Sequence, residues 1–277
     1  MGPGPRRKNS MTLRTLWDQE FIRQDTSSAM LNFLSPYRTE HAGTIPAAMK
    51  DRAIKLLHHK YSDQAQSLFA IACDLCHSRN HIGEEIGVML LPATYTIDPQ
   101  AVHQMLEILV DSSHWEVREW AASAAGHILS DHYDDFHATL IRWLADPSAN
   151  LRRGAIMAIK VGSNKLPSAH VAYLLDVLQP LLADRDPYVK KNLGPYVLGD
   201  GLIKSHPDLV LPRLRAWVEL PDETSRWNVA MVFTAQAGAK HGSDASSILN
   251  ILATDTRPSV IKALAKAKNA IAKYQQQ

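Results

Sequence analysis

Glycine is scarce, at 13 of 277 residues, and neither Asn-Gly nor Gly-Gly occurs, so the turn chemistry of tight β-hairpins is missing. That weighs against a sandwich or barrel. No stretch approaches 18 consecutive apolar residues, which excludes a membrane-spanning helix from the reading. The basic opening, MGPGPRRKNSMTLRT, is not followed by an apolar segment of the signal-peptide kind, and we expect a cytoplasmic protein. Residues 1–12 read as a disordered tail. Phosphate-binding and dinucleotide-binding glycine loops are absent, as is the G-x-S-x-G of serine hydrolases. The 13 histidines are scattered, with no H-x-x-x-H pair inside one helix-forming run. We expect neither metal nor cofactor. Only two cysteines are present, in the run Cys73-Asp74-Leu75-Cys76-His77. This is a literal C-x-x-C-H, the spacing of a haem attachment site or half a zinc site. It lies within the amphipathic run SLFAIACDLCH without a second cysteine pair, so we read it as core packing.

What is present is helical. Apolar residues recur every three to four positions in FHATLIRWLAD, HVAYLLDVLQPLLAD and, before residue 111, in IPAAMKDRAIKLLHHKYS and PQAVHQMLEILVD. A repeat is superimposed on this periodicity: an acidic turn, a polar stretch, then an aliphatic or aromatic residue followed by a basic or polar one. Clear copies are DSSHWEVR (Asp111 to Arg118), DPSANLR (Asp146 to Arg152) and DRDPYVK (Asp184 to Lys190). Weaker ones are DETSRWN (Asp222 to Asn228) and DTRPSVIK (Asp255 to Lys262). The leading aspartates are 35, 38, 38 and 33 residues apart, which is the range of helix-pair repeats. Each unit is too small to bury its own apolar face, so neighbours must stack. The expected fold is all-α, a superhelical solenoid of HEAT-like helix pairs with a concave basic face, one domain over residues 13–277. In this reading each Asp or Asp-Pro caps the next helix, the following Val or Leu points into the stack, and the basic residue after it lies on the rim.

Charge is divided unevenly along the chain. From Leu151 onward there are 17 Lys and Arg against 10 Asp and Glu, while the first 150 residues hold 13 against 18. A basic carboxyl-terminal half suits a polyanion or an acidic surface. Trp115 and Glu119, four apart, share a helix face. Arg152 and Arg153 open the corresponding helix of the next unit; Lys190 and Lys191, with Tyr196, open the one after. Side by side, these helices bring an aromatic ring, a carboxylate, an arginine and a second aromatic ring to one patch. Spacing alone also allows the rings to be core residues and Glu119 to pair with a repeat arginine. Two functions fit at this point: a nucleic-acid binder with cations on phosphates, or a protein scaffold that binds a helix or peptide in its groove.

Three segments narrow the choice. DPYVKKNLGPYVLGDGLIKSHPDLVLPRLRAW (Asp186 to Trp217), NLRRGAIMAIKVGSNKLPSA (Asn150 to Ala169) and HWEVREWAASAAGHIL (His114 to Leu129) resemble the AlkC/AlkD superfamily of DNA alkylation-repair glycosylases, over roughly residues 110 to 220. The resemblance implies a HEAT-like fold and excision of cationic alkylpurines, of the 3-methyladenine and 7-methylguanine type, from DNA. It places Glu119 at the catalytic acidic residue, Trp115 at a tryptophan one turn earlier that contacts deoxyribose, and Arg153, with Arg152 as the alternative, at a site arginine. Arg152, Lys190, Lys191, Tyr196 and Lys204 fall to DNA binding. The second tryptophan of the AlkD branch falls at Pro195 or Tyr196, a departure from the family pattern. Members without glycosylase activity are known, which leaves a non-catalytic protein for branched or damaged DNA as the alternative, and a protein-interaction scaffold as a third. The expected partner is DNA carrying alkylated bases, bound by a monomer with no membrane association.

Overall fold

The computed structural model describes residues 13–40 and 43–276; the expected tail, residues 1–12, lies outside them. No strand occurs among the described residues, and no helix there is long and apolar enough to cross a membrane. The helices are α1 (Leu13–Ile22), α2 (Ser27–Leu34), α3 (Ala47–Lys60), α4 (Ala65–Cys76), α5 (His81–Thr94), α6 (Pro99–Val110), α7 (Trp115–Asp131), α8 (Tyr133–Leu144), α9 (Ala149–Gly162), α10 (Ser168–Leu178), α11 (Pro187–Asn192), α12 (Ile203–Ser205), α13 (Pro207–Trp217), α14 (Glu223–Val232), α15 (Gln236–Ala239), α16 (Ser246–Ala253) and α17 (Pro258–Gln275). A π-helical segment, Leu193–Leu202, continues α11. The chain forms two compact units, divided after Pro99.

In the amino-terminal unit α3 and α4 pack on α5. Between α3 and α5, Lys50 and Glu85 form an ion pair buried from solvent, and the Thr44 hydroxyl donates to the Glu85 carboxylate at 3.1 Å. Two opposite charges taken out of water together are tolerated, whereas deleting one alone is expensive. Cys76 on α4 is buried and its thiol pKa is pushed up by that burial, which opposes thiolate chemistry. The His77 Nδ1 sits 2.8 Å from the Cys73 carbonyl oxygen. No group of three or more metal-ligating side chains gathers among the described residues.

The carboxyl-terminal unit is a helical solenoid of stacked pairs. One row runs α7, α9, α11 with its π segment, α14 and α17, each packed on the next. The other row holds α8, α10, α13 and α16, where α13 touches both α10 and α16 and the Tyr133 ring of α8 stacks on His170 of α10 at 3.8 Å. α7 and α9 approach closely because glycines face each other's backbone. A Cβ on Gly126 would meet the Ala158 oxygen at 2.8 Å, and one on Gly162 would meet the Gly126 oxygen at 2.9 Å.

The repeat joints differ from the sequence expectation in two respects. The leading aspartate does not cap the helix in every copy. Asp146, Asp184 and Asp255 instead accept the backbone N–H two residues on, closing the turn, at 2.7, 2.9 and 3.0 Å. The caps of α9 and α11 are Ser148 and Asp186, and only Asp222 serves directly as cap. Pro147 accordingly precedes a cap, while Pro187 does occupy the first helical turn. Nor does the repeat arginine lie out on the rim. Arg118 donates to the Ser112 and Ser113 carbonyls at 2.7 and 3.1 Å, Arg152 to those of Asp146 and Pro147 at 2.8 Å each, and Arg226 to that of Leu220 at 3.0 Å. A long side chain thus folds back over its own turn and satisfies carbonyls that the turn leaves without partners.

The π segment has a local cause. Pro195 has no N–H and its ring crowds the carbonyl four residues back, so a regular α-helix fails there. The preceding Gly194 N–H turns outward to the buried Asn228 side-chain oxygen at 3.1 Å, and the Asn228 amide donates to the Leu182 carbonyl at 2.9 Å. A Cβ on Gly194 would lie 2.7 Å from the Asn228 backbone oxygen, so only glycine fits. Replacing Asn228 by Ala leaves two buried backbone groups unpaired. Urea unfolding is expected to show a loss of about 1–3 kcal/mol; an unchanged midpoint rejects this account of the π segment.

Candidate active site

α7 opens at Trp115, and its first two turns place Trp115 and Glu119 on one side. The alanines that follow, Ala121, Ala122, Ala124 and Ala125, are fully buried and small enough to let α9 lie alongside. In α9, Leu151 points into the stack, Arg152 folds back over its turn, and the next residue, Arg153, reaches across to α7. Its Nη2 donates to Glu119 Oε1, forming an ion pair in which the arginine side chain is 4% exposed and the glutamate 37%. One carboxylate oxygen is thereby fixed, and the other, Oε2, accepts no hydrogen bond from any described residue. Glu119 is both oriented and open to solvent. Trp115, 46% exposed, offers an aromatic surface one turn away.

Arg153 is unusual for a buried cation. Its Nε and Nη1 are buried and have no acceptor among the described residues. In place of acceptors it has a ring: the guanidinium lies over Tyr188 of α11, 5.0 Å from the centroid. Arg118 of α7 lies over the same ring at 5.2 Å, and its Nε donates to the Tyr188 hydroxyl at 3.2 Å. A delocalised guanidinium on an aromatic face gains about 0.5–2 kcal/mol, more where water is excluded. Tyr188 thus ties three successive helices of one row together beneath the carboxylate.

Tyr188 was not among the residues singled out from the sequence. The signal was in the repeat: the place just before the inward Val or Leu is Glu116 in one copy, Asn150 in the next and an aromatic only at Tyr188. Tyr196, expected to supply the second ring, sits in the π segment and is 55% exposed. It lines a cleft beyond α11 with Lys191 and Trp227. Lys190 is also directed to the later repeats, its ammonium 4.5 Å from the centre of the Trp227 ring. Lys204, on α12, is exposed and makes no ion pair with a described residue, and it does not line that cleft. The site therefore brings together Trp115, Glu119 and Arg153 with Arg118 and Tyr188, while Lys190, Lys191 and Tyr196 gather one repeat further on.

Arg152 needs a different assignment from phosphate binding. Besides the two turn carbonyls, it pairs with Asp184 of the following joint, Nε to Oδ2 at 2.7 Å, and its pKa is raised by that hydrogen bond. All of its strong donors face protein. We assign it to the joint between repeats. Arg152→Gln is expected to cost about 1.5–3 kcal/mol in denaturant unfolding, as for hydrogen bonds to a charged group. Full stability together with weakened DNA binding would return Arg152 to the phosphate-binding set.

A family model described as DNA alkylation repair enzyme matches residues 45–197, more than half of the chain and a span that contains Trp115, Glu119, Arg153 and Tyr188. No curated protein matches. Among solved structures, the Escherichia coli protein YibA aligns over 99% of this chain and 100% of its own at 14% identity and a TM-score of 0.45. A designed armadillo repeat protein in complex with the peptide (KR)4 aligns over 79% and 97% at 17% identity and a TM-score of 0.33.

Proposed function

Because the chain belongs to the DNA alkylation repair enzyme family, we propose that it is a glycosylase that releases cationic N-alkylated purines, of the 3-methyladenine and 7-methylguanine type, from DNA. The observation that carries this reading is the Glu119–Arg153 pair: a carboxylate held by a buried arginine at one oxygen and left open at the other.

An alkylated purine with a formal positive charge is already a good leaving group, so little needs to be done to the base. The difficulty is the sugar, which becomes oxocarbenium-like as the glycosidic bond lengthens. A fixed carboxylate beside it lowers the energy of that charge without having to reorganise. Oε2 of Glu119 is the atom free to do this and to accept a hydrogen bond from the attacking water. Arg153 acts as a positioning residue, since it holds Oε1 and is too deeply buried to reach a phosphate. The exposed Trp115 ring adds an aromatic face to the same developing charge. Lys190, Lys191 and Lys204 are proposed to hold the DNA backbone, which fixes register without reading sequence.

A binding-only protein is the second reading. One observation favours it: the AlkD-type second tryptophan is replaced here, and Tyr196 lies in a cleft one repeat away from Glu119. Base release from methylated duplex DNA separates the two. Wild type should release alkylpurines and Glu119→Gln should do so about a hundredfold or more slowly, with DNA binding retained. Equal release by the two proteins removes Glu119 from catalysis. DNA binding without release by wild type selects the second reading, and no salt-sensitive DNA binding at all leaves a protein scaffold.

A further inference from the structure

The carboxyl-terminal unit holds a second surface that the reaction just described does not use. In four helices of the row that carries the site, the residue following the repeat's basic position is polar or aromatic. It is Glu119 in α7, Arg153 in α9, Lys191 in α11 and Trp227 in α14. The first two make the ion pair of the proposed site. The last two line an open cleft of about 630 Å³ where the π segment, α14, α15 and α17 meet, within the roughly 300–1,000 Å³ of small-molecule sites. Tyr196 rises from the π segment on one side, with Met231 of α14 and Lys266 of α17 among the other lining residues. Lys190 covers one face of the Trp227 ring. The carboxylate in the cleft, Asp200, is already neutralised by Lys160 at 3.0 Å. A smaller hollow of about 320 Å³ shares Thr234 and Gln236 with it and adds Lys273 and Tyr274.

Aromatic rings set among lysines that form no ion pair with a described residue are the chemistry that holds unpaired nucleotides, since bases stack on the rings and cations follow the phosphates. Thr234 and Gln236 add polar groups to the wall. A paired duplex has no free base faces to offer such a cleft. We propose that this cleft binds an unpaired, extrahelical nucleotide of the DNA, stacked against Trp227 and Tyr196, with Lys191 and Lys266 on the flanking phosphates. The inference rests on the DNA reading above and adds to it a preference for duplexes that carry unpaired bases. The π segment is what makes the cleft.

The test uses the full chain and unmodified DNA: a flush duplex, and the same duplex with a short single-stranded bulge containing 2-aminopurine. Wild type should bind the bulged duplex roughly ten- to a hundredfold more tightly, the range expected of base–aromatic stacking, and should quench the 2-aminopurine fluorescence. Trp227→Ala should abolish both effects and Trp227→Phe should keep most of the quenching. Lys266→Glu, at an exposed position, should weaken binding and flatten its salt dependence, and it keeps the proposal testable should Trp227→Ala unfold. Equal affinity of wild type for the two duplexes overturns the inference, and so does binding without quenching. Competition by polyglutamate as strong as by single-stranded DNA also overturns it, since the cleft would then recognise charge alone. Alkylpurine release by wild type from a separate, methylated flush duplex separates the failures. If release persists without a bulge preference, only this inference falls; if both are absent, the glycosylase reading falls as well.

Discussion

In three helices of the site-bearing row, α7, α9 and α14, the opening arginine is bound to the turn before it, and this contact ties the helix to its joint. Arg118, Arg152 and Arg226 each reach back five or six residues to carbonyls of their own turn. Arg152 and Arg226 also hold the aspartate of the following joint, Asp184 and Asp255. Asp255 is held well below the ordinary carboxylate range by its hydrogen bonds to Arg257 and Arg226. With the arginine folded back and the residue before it buried, the residue after it is Glu119 in α7, Arg153 in α9 and Trp227 in α14.

Function on such a scaffold comes from what occupies that one position in successive repeats. A carboxylate beside an arginine gives an oriented, partly desolvated ion pair, and a lysine beside a tryptophan gives a cationic aromatic wall. The two surfaces meet at Tyr188 and the π segment. Tyr188 supports Arg153 from below, while the π segment that follows α11 turns Tyr196 toward the later repeats. Arg153 has two buried donors without acceptors among the described residues, an arrangement that stability alone does not favour and that fits a group retained to orient Glu119.

Much of this was legible before any coordinates. The spacing of the leading aspartates fixed the helix-pair architecture, and the four-residue separation of Trp115 and Glu119 put them on one face of α7. That an arginine of α9 would stand next to them followed from the repeat, and the resemblance to the repair family favoured Arg153. Three things were not legible. The role of Arg152 was hidden because two adjacent arginines look alike in sequence, and only the rotation of α9 decides which one folds back and which crosses to α7. Tyr188 was hidden because a ring at a repeat start reads as core. The π segment was hidden because its cause is partly a long-range contact, Gly194 with the buried Asn228, that periodicity does not carry.

The amino-acid sequence by itself determined that this protein is a stack of helix pairs, and it carried the acid, the arginine and the basic later repeats in order. Those are local matters of periodicity, turn chemistry and composition. Only the tertiary structure decided which oxygen of Glu119 stays open, which arginine holds the other, and which rings face a cleft. Each of these depends on helix rotation and on contacts between residues more than thirty positions apart, such as Arg153 with Glu119 and Asn228 with Gly194.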